Sequence, residues 1–180
     1  NLILVRHGQS LWNLEKRFTG WTDIDLTEQG KSEAKYAGQL INKTNIKFDA
    51  CFSSFQKRAI NTLEIILNVM NLKNSKTKKA WQLNERHYGA LTGLNKDEMM
   101  KKHGKDQVHI WRRSFDTPPP PMDKTHPLHT SINKTYSFIP RDKVPSSESL
   151  KDTFERVIPY YEENIAPLLN NHKNNINNHY

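Results

Sequence analysis

Apolar residues along this chain alternate between two rhythms. Leu2-Ile3-Leu4-Val5 is short and continuous, which predicts a buried strand. Thr27 then reads as an N-cap ahead of Ala34, Ala37, Leu40 and Ile41, an apolar stripe at helical spacing. Phe48 to Ser53 returns to a strand pattern, and Ala59, Ile60, Leu63, Ile66, Leu67 and Met70 form a second helical stripe. A third strand is expected over Lys79 to Leu83, running into Asn84-Glu85-Arg86-His87-Tyr88. Strand, helix, strand, helix, strand is the pattern of an α/β fold with a largely parallel sheet. Shorter helices are expected over Lys96 to Lys102 and Asp106 to Arg113, then an extended or loop segment at Pro118 to Pro121. From there to Ser146 no period is evident, and the stretch reads as irregular. Ser147 is expected to cap a long helix whose Leu150, Phe154, Val157, Ile158, Tyr161, Ile165 and Leu168 share a face, bent at Pro159 and Pro167. The asparagine-rich stretch from Asn170 to Tyr180 reads as a loop or flexible tail.

Candidate chemistry gathers at the predicted strand ends, where open α/β folds bind ligands. The first strand delivers Arg6-His7-Gly8. A neutral imidazole at that place can act as a phosphate-accepting nucleophile, and an adjacent arginine offers a forked donor to phosphate oxygens. Gly8 would allow backbone to approach a ligand. Ser10, Asn13 and the pair Thr19-Gly20 offer hydroxyl, amide and exposed backbone N–H groups to phosphoryl oxygens. Arg58 opens the helix after the second strand, and Glu85, after the third, is the candidate proton-handling carboxylate. Tyr88, Lys96, Arg112 and Arg113 add donors for a carboxylate or second phosphate.

Composition narrows the partners. The 180 residues suit one domain, and at 35% hydrophobic it is a polar one. A net charge of +8 admits either nucleic acid or a small polyanion in a cationic pocket. The lysines are scattered or lie in loop-like stretches such as Lys73 to Lys79, without interleaved aromatics, so nucleic acid is not indicated. No run approaches the ~18 apolar residues of a membrane span, and no signal pattern opens the chain; a soluble, cytoplasmic protein is the expectation. Cys51, the single cysteine, sits in an apolar run and reads as buried and inert. Neither a metal-ligating motif nor a P-loop is present, so phosphate would be handled by arginine and lysine.

The segments RHGQSLWN, FTGWTDIDL, KRAINT, LNERHYGALTGLNK, HIWRRSFDTPPP and SESLKDTFERVIPYY together resemble, in order and spacing, the cofactor-dependent phosphoglycerate mutases of the histidine phosphatase superfamily. The resemblance covers residues 2–169, and a mutase-like domain, truncated at its C-terminal end, is expected over 1–169. It implies a three-layer α/β sandwich with a mostly parallel sheet and helices on both faces. It also implies interconversion of 3- and 2-phosphoglycerate in glycolysis, primed by 2,3-bisphosphoglycerate without a metal, and a homodimer. On this resemblance His7 is the phosphohistidine, Glu85 the proton donor, and Arg6, Asn13 and Arg58 hold the transferred phosphate. Gly8, Ser10, Thr19, Gly20, Arg86, Tyr88, Lys96, Arg112 and Arg113 complete the binding set.

Against that pattern, Leu11 stands where glutamate is usual and Thr92 where glutamine is common. The family's second histidine, in an AAHGNS-like motif after an apolar strand, has no match; His179 lacks the apolar approach and the following Gly-Asn. The sheet is therefore expected to be incomplete and the chain impaired, and Asn1 in place of Met suggests a partial copy of a longer chain. Two alternatives accompany the mutase reading. Ser146 to Lys151 and His126-Pro127 suggest the bisphosphoglycerate mutase subfamily, and an impaired relative would only bind phosphorylated ligands.

Overall fold

In the computed structural model of the chain, residues 1–73 and 75–170 are described. Helices form where capping and apolar spacing agree. Ser10 caps the four-residue α1 (Leu11–Leu14), and the Thr27 side chain accepts from Gly30 N to start α2 (Glu28–Asn42). Strand β1 (Cys51–Ser53) leads through α3 (Lys57–Val69) to β2 (Thr77–Lys79), and the two strands pair in parallel with Cys51 opposite Thr77. Asn95 caps α4 (Lys96–His103) and Gly104 connects it to α5 (Lys105–Arg113). The chain then forms α6 (His129–Thr135), α7 (Leu150–Asn164) and α8 (Ala166–Asn170). The class is α/β, and the sheet among the described residues is this parallel pair.

Four expectations change. Residues 2–5 are not a strand, and Leu4 is 85% exposed. A strand exists only through its ladder, and among the described residues no backbone pairs with this run. The third strand ends at Lys79; Ala80 N still reaches Ser53 O, and Trp81–Leu83 then winds into a 3-10 turn, leaving Glu85 beyond it without regular secondary structure. Ser149, not Ser147, caps α7, because the reciprocal box needs an acceptor three residues on. Asp152 supplies it for Ser149; Ser147 instead donates its hydroxyl to Pro119 O. The stretch read as irregular holds α6, and its Ile132, Tyr136 and Ile139 join Trp21 and Met122 in a buried cluster. The expected bend at Pro159 leaves α7 unbroken to Asn164, while Pro167 falls in the first turn of α8, where its missing N–H costs no helical bond. The tail expectation falls on 171–180, outside the described residues.

A second cluster joins Phe18, Leu91, Met99 and Val108, with Tyr88 and Trp111 against it. Phe18 thus belongs to one cluster and Trp21 to the other. Cys51 is buried, and burial pushes its thiol up, away from reactivity.

His87, 1% exposed and 6.0 Å from the Trp21 ring, is held neutral: burial, then the charges of Arg156 and His126, lower it to about 4. Because the folded value lies below the unfolded one of about 6.5, the unfolded chain binds the extra proton on acidification. The contribution is complete above pH 6.5 and is lost as pH falls toward 4, amounting to about 3 kcal/mol. Chemical denaturation between pH 7 and 4.5 should show this loss in wild type and a smaller one in His87→Gln; equal slopes would assign the acid sensitivity elsewhere.

Candidate active site

The segment between the two clusters sets the floor of the site. Thr19 and Gly20 are held from both sides by Phe18 and Trp21. Gly20 adopts φ +53, where a Cβ would come 3.1 Å from Tyr88 N, so glycine is needed for both conformation and space. Its carbonyl accepts from Arg58 Nη2 at 2.8 Å and Gln56 Nε2 at 2.9 Å. Arg58, the second residue of α3, is fully buried; its Nη1 donates to Thr22 O at 2.9 Å, and Nη2 also reaches Glu85 Oε2 at 2.8 Å. A buried guanidinium therefore holds a carboxylate whose side chain is one-third exposed.

Beside that carboxylate opens a cleft of about 370 Å³ lined by Arg6, Asn13, Thr19, Glu85, Tyr88, Lys96, Arg112 and Arg113. Every one of these eight is among the fourteen residues singled out in the sequence. Asn13 spends its Oδ1 on Ser10 N at 3.2 Å, which leaves its N–H donors for the cleft. Lys96 opens α4, and burial, then the charge of Arg112, push its ammonium below the ordinary lysine value. Arg112 and Arg113 project from the last turn of α5. Four cations face one carboxylate, and an anion in their midst would relieve that repulsion.

The other six residues support the cleft from beside or behind it. His7 lies close enough that the charges of Arg58, Glu85 and Arg6 act on its ring. Its Nδ1 donates to the Gly8 carbonyl at 2.7 Å, so in the neutral ring Nε2 carries the lone pair. Burial is the main cause holding His7 below the usual histidine value, which keeps that lone pair free near neutral pH. Gly8 does not open backbone to a ligand. A Cβ on it would meet Gly30 O of α2 at 2.2 Å, so its bareness lets the helix approach, and its N–H donates to Thr62 Oγ1. Ser10 is fully buried, and its hydroxyl oxygen accepts from Asn13 N, orienting Asn13 in place of touching a ligand. The Gly20 carbonyl and the Glu85 carboxylate share the Arg58 guanidinium. Arg86 is also buried; its Nη2 donates to Arg112 O at 2.7 Å and its guanidinium stacks 4.9 Å from the Tyr88 ring, bracing two cleft residues.

Sequence reasoning passed over Gln56, whose side chain joins Gly20 O to Glu85 N. Its place just ahead of the helix carrying Arg58 was the available signal. Glu148 and Arg156 were passed over too, because their ion pair acts on backbone and matches no short motif.

The model of the histidine phosphatase superfamily (branch 1) matches residues 2–139. A 2,3-bisphosphoglycerate-dependent phosphoglycerate mutase of Hydrogenobaculum sp. (strain Y04AAS1) is 56% identical over 168 residues, covering 93% of this chain and 68% of that protein. One of the same description from Pelagibacter ubique (strain HTCC1062) is 56% identical over 174 residues, covering 97% and 73%. Among solved structures, a mycobacterial glucosyl-3-phosphoglycerate phosphatase studied with VO3 superposes with a TM-score of 0.66 at 23% identity, over 89% of this chain and 65% of that one. A phosphoglycerate mutase from Thermus thermophilus gives 0.53 at 25%, over 88% and 68%. The chain spans about two thirds of the length of these relatives. From residue 2 to residue 139 on the superfamily model, and through nearly its whole described length on relatives sharing more than half its residues, this chain belongs to the histidine phosphatase superfamily, in the family of the 2,3-bisphosphoglycerate-dependent phosphoglycerate mutases.

Proposed function

We propose that the chain interconverts 3-phosphoglycerate and 2-phosphoglycerate through a phosphohistidine at His7. The observation carrying this reading is a cleft of four cations and one carboxylate with the His7 imidazole near enough to feel the charges of Arg6 and Glu85, its Nδ1 committed to a carbonyl. Phosphoryl transfer without a metal needs positioned positive charge and little else, and Arg6, Lys96, Arg112 and Arg113 supply it. A phosphate and a carboxylate on one small molecule match that spread of donors. The same excess charge suits 2,3-bisphosphoglycerate, which the four cations would hold. When bound, it supplies the phosphoryl group that first charges His7.

The chain's own residues then act in order. Cleft cations orient the monophosphate so that its free hydroxyl faces phosphorus. The bond from phosphorus to His7 Nε2 breaks as the hydroxyl oxygen bonds to phosphorus, and the hydroxyl proton passes to Glu85. In the reverse sense Nε2 takes the phosphoryl group and Glu85 returns the proton to the departing oxygen. Arg58 holds the carboxylate through Oε2, leaving Oε1 for that exchange. This reading places the enzyme in glycolysis and gluconeogenesis, in the cytoplasm, and as a homodimer by family likeness. Among the described residues no helix is long and apolar enough to cross a membrane.

Turnover of 3-phosphoglycerate with and without catalytic 2,3-bisphosphoglycerate tests the reading, with inorganic phosphate followed in parallel. Primer-dependent formation of 2-phosphoglycerate is expected to exceed phosphate release. Dominant phosphate release would make the chain a phosphatase, and dominant synthesis of the bisphosphate from 1,3-bisphosphoglycerate would favour the sister activity.

A further inference from the structure

The stretch from Gln82 to His87 carries Glu85 into the cleft, yet after the 3-10 turn at Trp81–Leu83 it has no regular secondary structure to hold it. Its backbone polar groups still need partners. Several find them on one ion pair from a distant part of the chain. Arg156 Nη1 donates to Gln82 O at 2.6 Å, and Nη2 donates to Asn84 O at 2.9 Å and Glu85 O at 3.2 Å. Glu148 takes the other end: its Oε2 accepts from His87 N at 2.8 Å, and its own N–H donates to His87 O at 2.9 Å.

The two side chains are joined to each other in fork geometry, Arg156 Nε to Glu148 Oε1 at 2.5 Å and Nη2 to Oε2 at 2.9 Å. Both are nearly removed from water, at 10% and 3% exposure. Their placement is itself secured, since Glu148 immediately precedes the capping box in which Ser149 and Asp152 start α7. The face of the Arg156 guanidinium lies 5.6 Å from the Trp21 ring, which limits its freedom to tilt. Neither residue lines the cleft.

A buried pair is by itself weak evidence for stability, because desolvation offsets attraction. Here the direction of its remaining bonds is informative. Those of Arg156 outside the pair go to the carbonyls of Gln82, Asn84 and Glu85, and those of Glu148 go to His87, so the pair grips both sides of Glu85. The Glu85 N–H is meanwhile taken by Gln56 Oε1 at 3.2 Å and its carboxylate by Arg58.

We propose that Arg156 and Glu148 are positioning residues that set where the Glu85 carboxyl group stands in the cleft, by holding the backbone from Gln82 to His87. The inference rests on reading Glu85 as the proton-transferring carboxylate. A planar fork is required, because one compact ammonium cannot reach three carbonyls and a carboxylate together. Arg156→Lys keeps the charge and loses the fork, so it should loosen Glu85 while leaving the cleft cations alone.

The test measures kcat and KM for 3-phosphoglycerate in full-length Arg156→Lys and Glu148→Gln, each alone and combined with Glu85→Gln. Misplacing a reacting group by about 1 Å costs up to roughly 10²-fold, so kcat should fall about 10- to 100-fold with KM little changed. In the Glu85→Gln background the same changes should cost almost nothing further, because the group they position no longer transfers a proton. An undiminished loss in that background, or a rise in KM with kcat intact, would overturn the proposal in favour of a general structural role. Should Arg156→Lys fail to fold, Glu148→Gln carries the same cycle, since its amide oxygen can still accept from His87 N.

A readout independent of turnover separates this idea from the proposed function. In protein with 13C-labelled glutamate side chains, the Glu85 carboxyl resonance, assigned by its loss in Glu85→Gln, should shift in Arg156→Lys, and an unchanged resonance would refute the brace. Absence of mutase turnover in wild type, together with a shifted Glu85 resonance in Arg156→Lys, would sink the functional reading and leave the brace standing.

Discussion

Replacing His7 by alanine is expected to abolish the phosphoenzyme and with it primer-dependent turnover. The Gly8 carbonyl accepts from Nδ1 at 2.7 Å, so the neutral ring presents its lone pair at Nε2. Burial lowers the His7 value first, with the positive charges of Arg58 and Arg6 adding to it, and together these outweigh the opposing pull of the Gly8 bond and of Glu85. Removing a nucleophile that acts as a unit with its partners can cost on the order of 10⁶ in kcat. Incubation with labelled 2,3-bisphosphoglycerate should give an acid-labile, base-stable phosphoprotein in wild type and background labelling in His7→Ala. Equal labelling of both would remove His7 from the mechanism. The lowered value also sets a pH dependence. Protonation destroys the lone pair, so the rate of labelling should decline at a lower pH than the ~6.5 of an ordinary imidazole would set. A decline beginning well above pH 7 would contradict the effect of burial on the ring.

Glu85→Gln is expected to lower kcat by ~10²–10⁴-fold while binding of 3-phosphoglycerate changes little. Glutamine keeps the length and shape of the side chain, and its oxygen can still accept from Arg58 Nη2, where Glu85 Oε2 now lies at 2.8 Å. Its N–H and C=O backbone bonds to Gln56 and Arg156 are untouched by the change. Only the capacity to exchange a proton is lost. Loss of the negative charge should, if anything, tighten the hold of the four cleft cations on an anion. Steady-state kinetics with a direct binding measurement separates these effects: retained kcat would exclude Glu85 as the proton carrier, and binding lost in step with kcat would make it a ligand contact.

How far the molecule could be read in advance depends on the range of each interaction. Thr27 as the cap of α2 and the helices over Lys57–Val69, Lys96–His103 and Lys105–Arg113 were legible because capping and 3.6-residue spacing act within a few positions. The cap of α7 was expected at Ser147 although the local signal was there to read: Ser-x-x-Asp begins at Ser149, and Ser147 lacks it. Ile132, Tyr136 and Ile139 also stand at helical spacing, but α6 is only seven residues long, too short for a period to emerge from the surrounding prolines and polar residues. Leu2 to Val5 misled for the opposite reason. Four aliphatic residues say that a segment could be buried in a sheet, and only a paired backbone makes it a strand.

The sequence by itself determined the chemical inventory: an imidazole beside an arginine, a carboxylate, and cations enough for a small polyanion, in an order that identifies the family. All eight cleft residues were among the fourteen it marked, though it did not separate them from the other six. The tertiary structure alone decided how each group is spent. Arg58 and Arg86 carry the same guanidinium as Arg112 and Arg113, yet the first two are buried and direct N–H groups at backbone carbonyls and, for Arg58, at Glu85, while the others face the cleft. Arg156, which no motif marked, grips the backbone around Glu85 from a helix some seventy residues away in sequence. A side chain has a fixed number of donors and acceptors, and whether they meet backbone or ligand depends on which segments fold against it. Spacing along the chain does not carry that information.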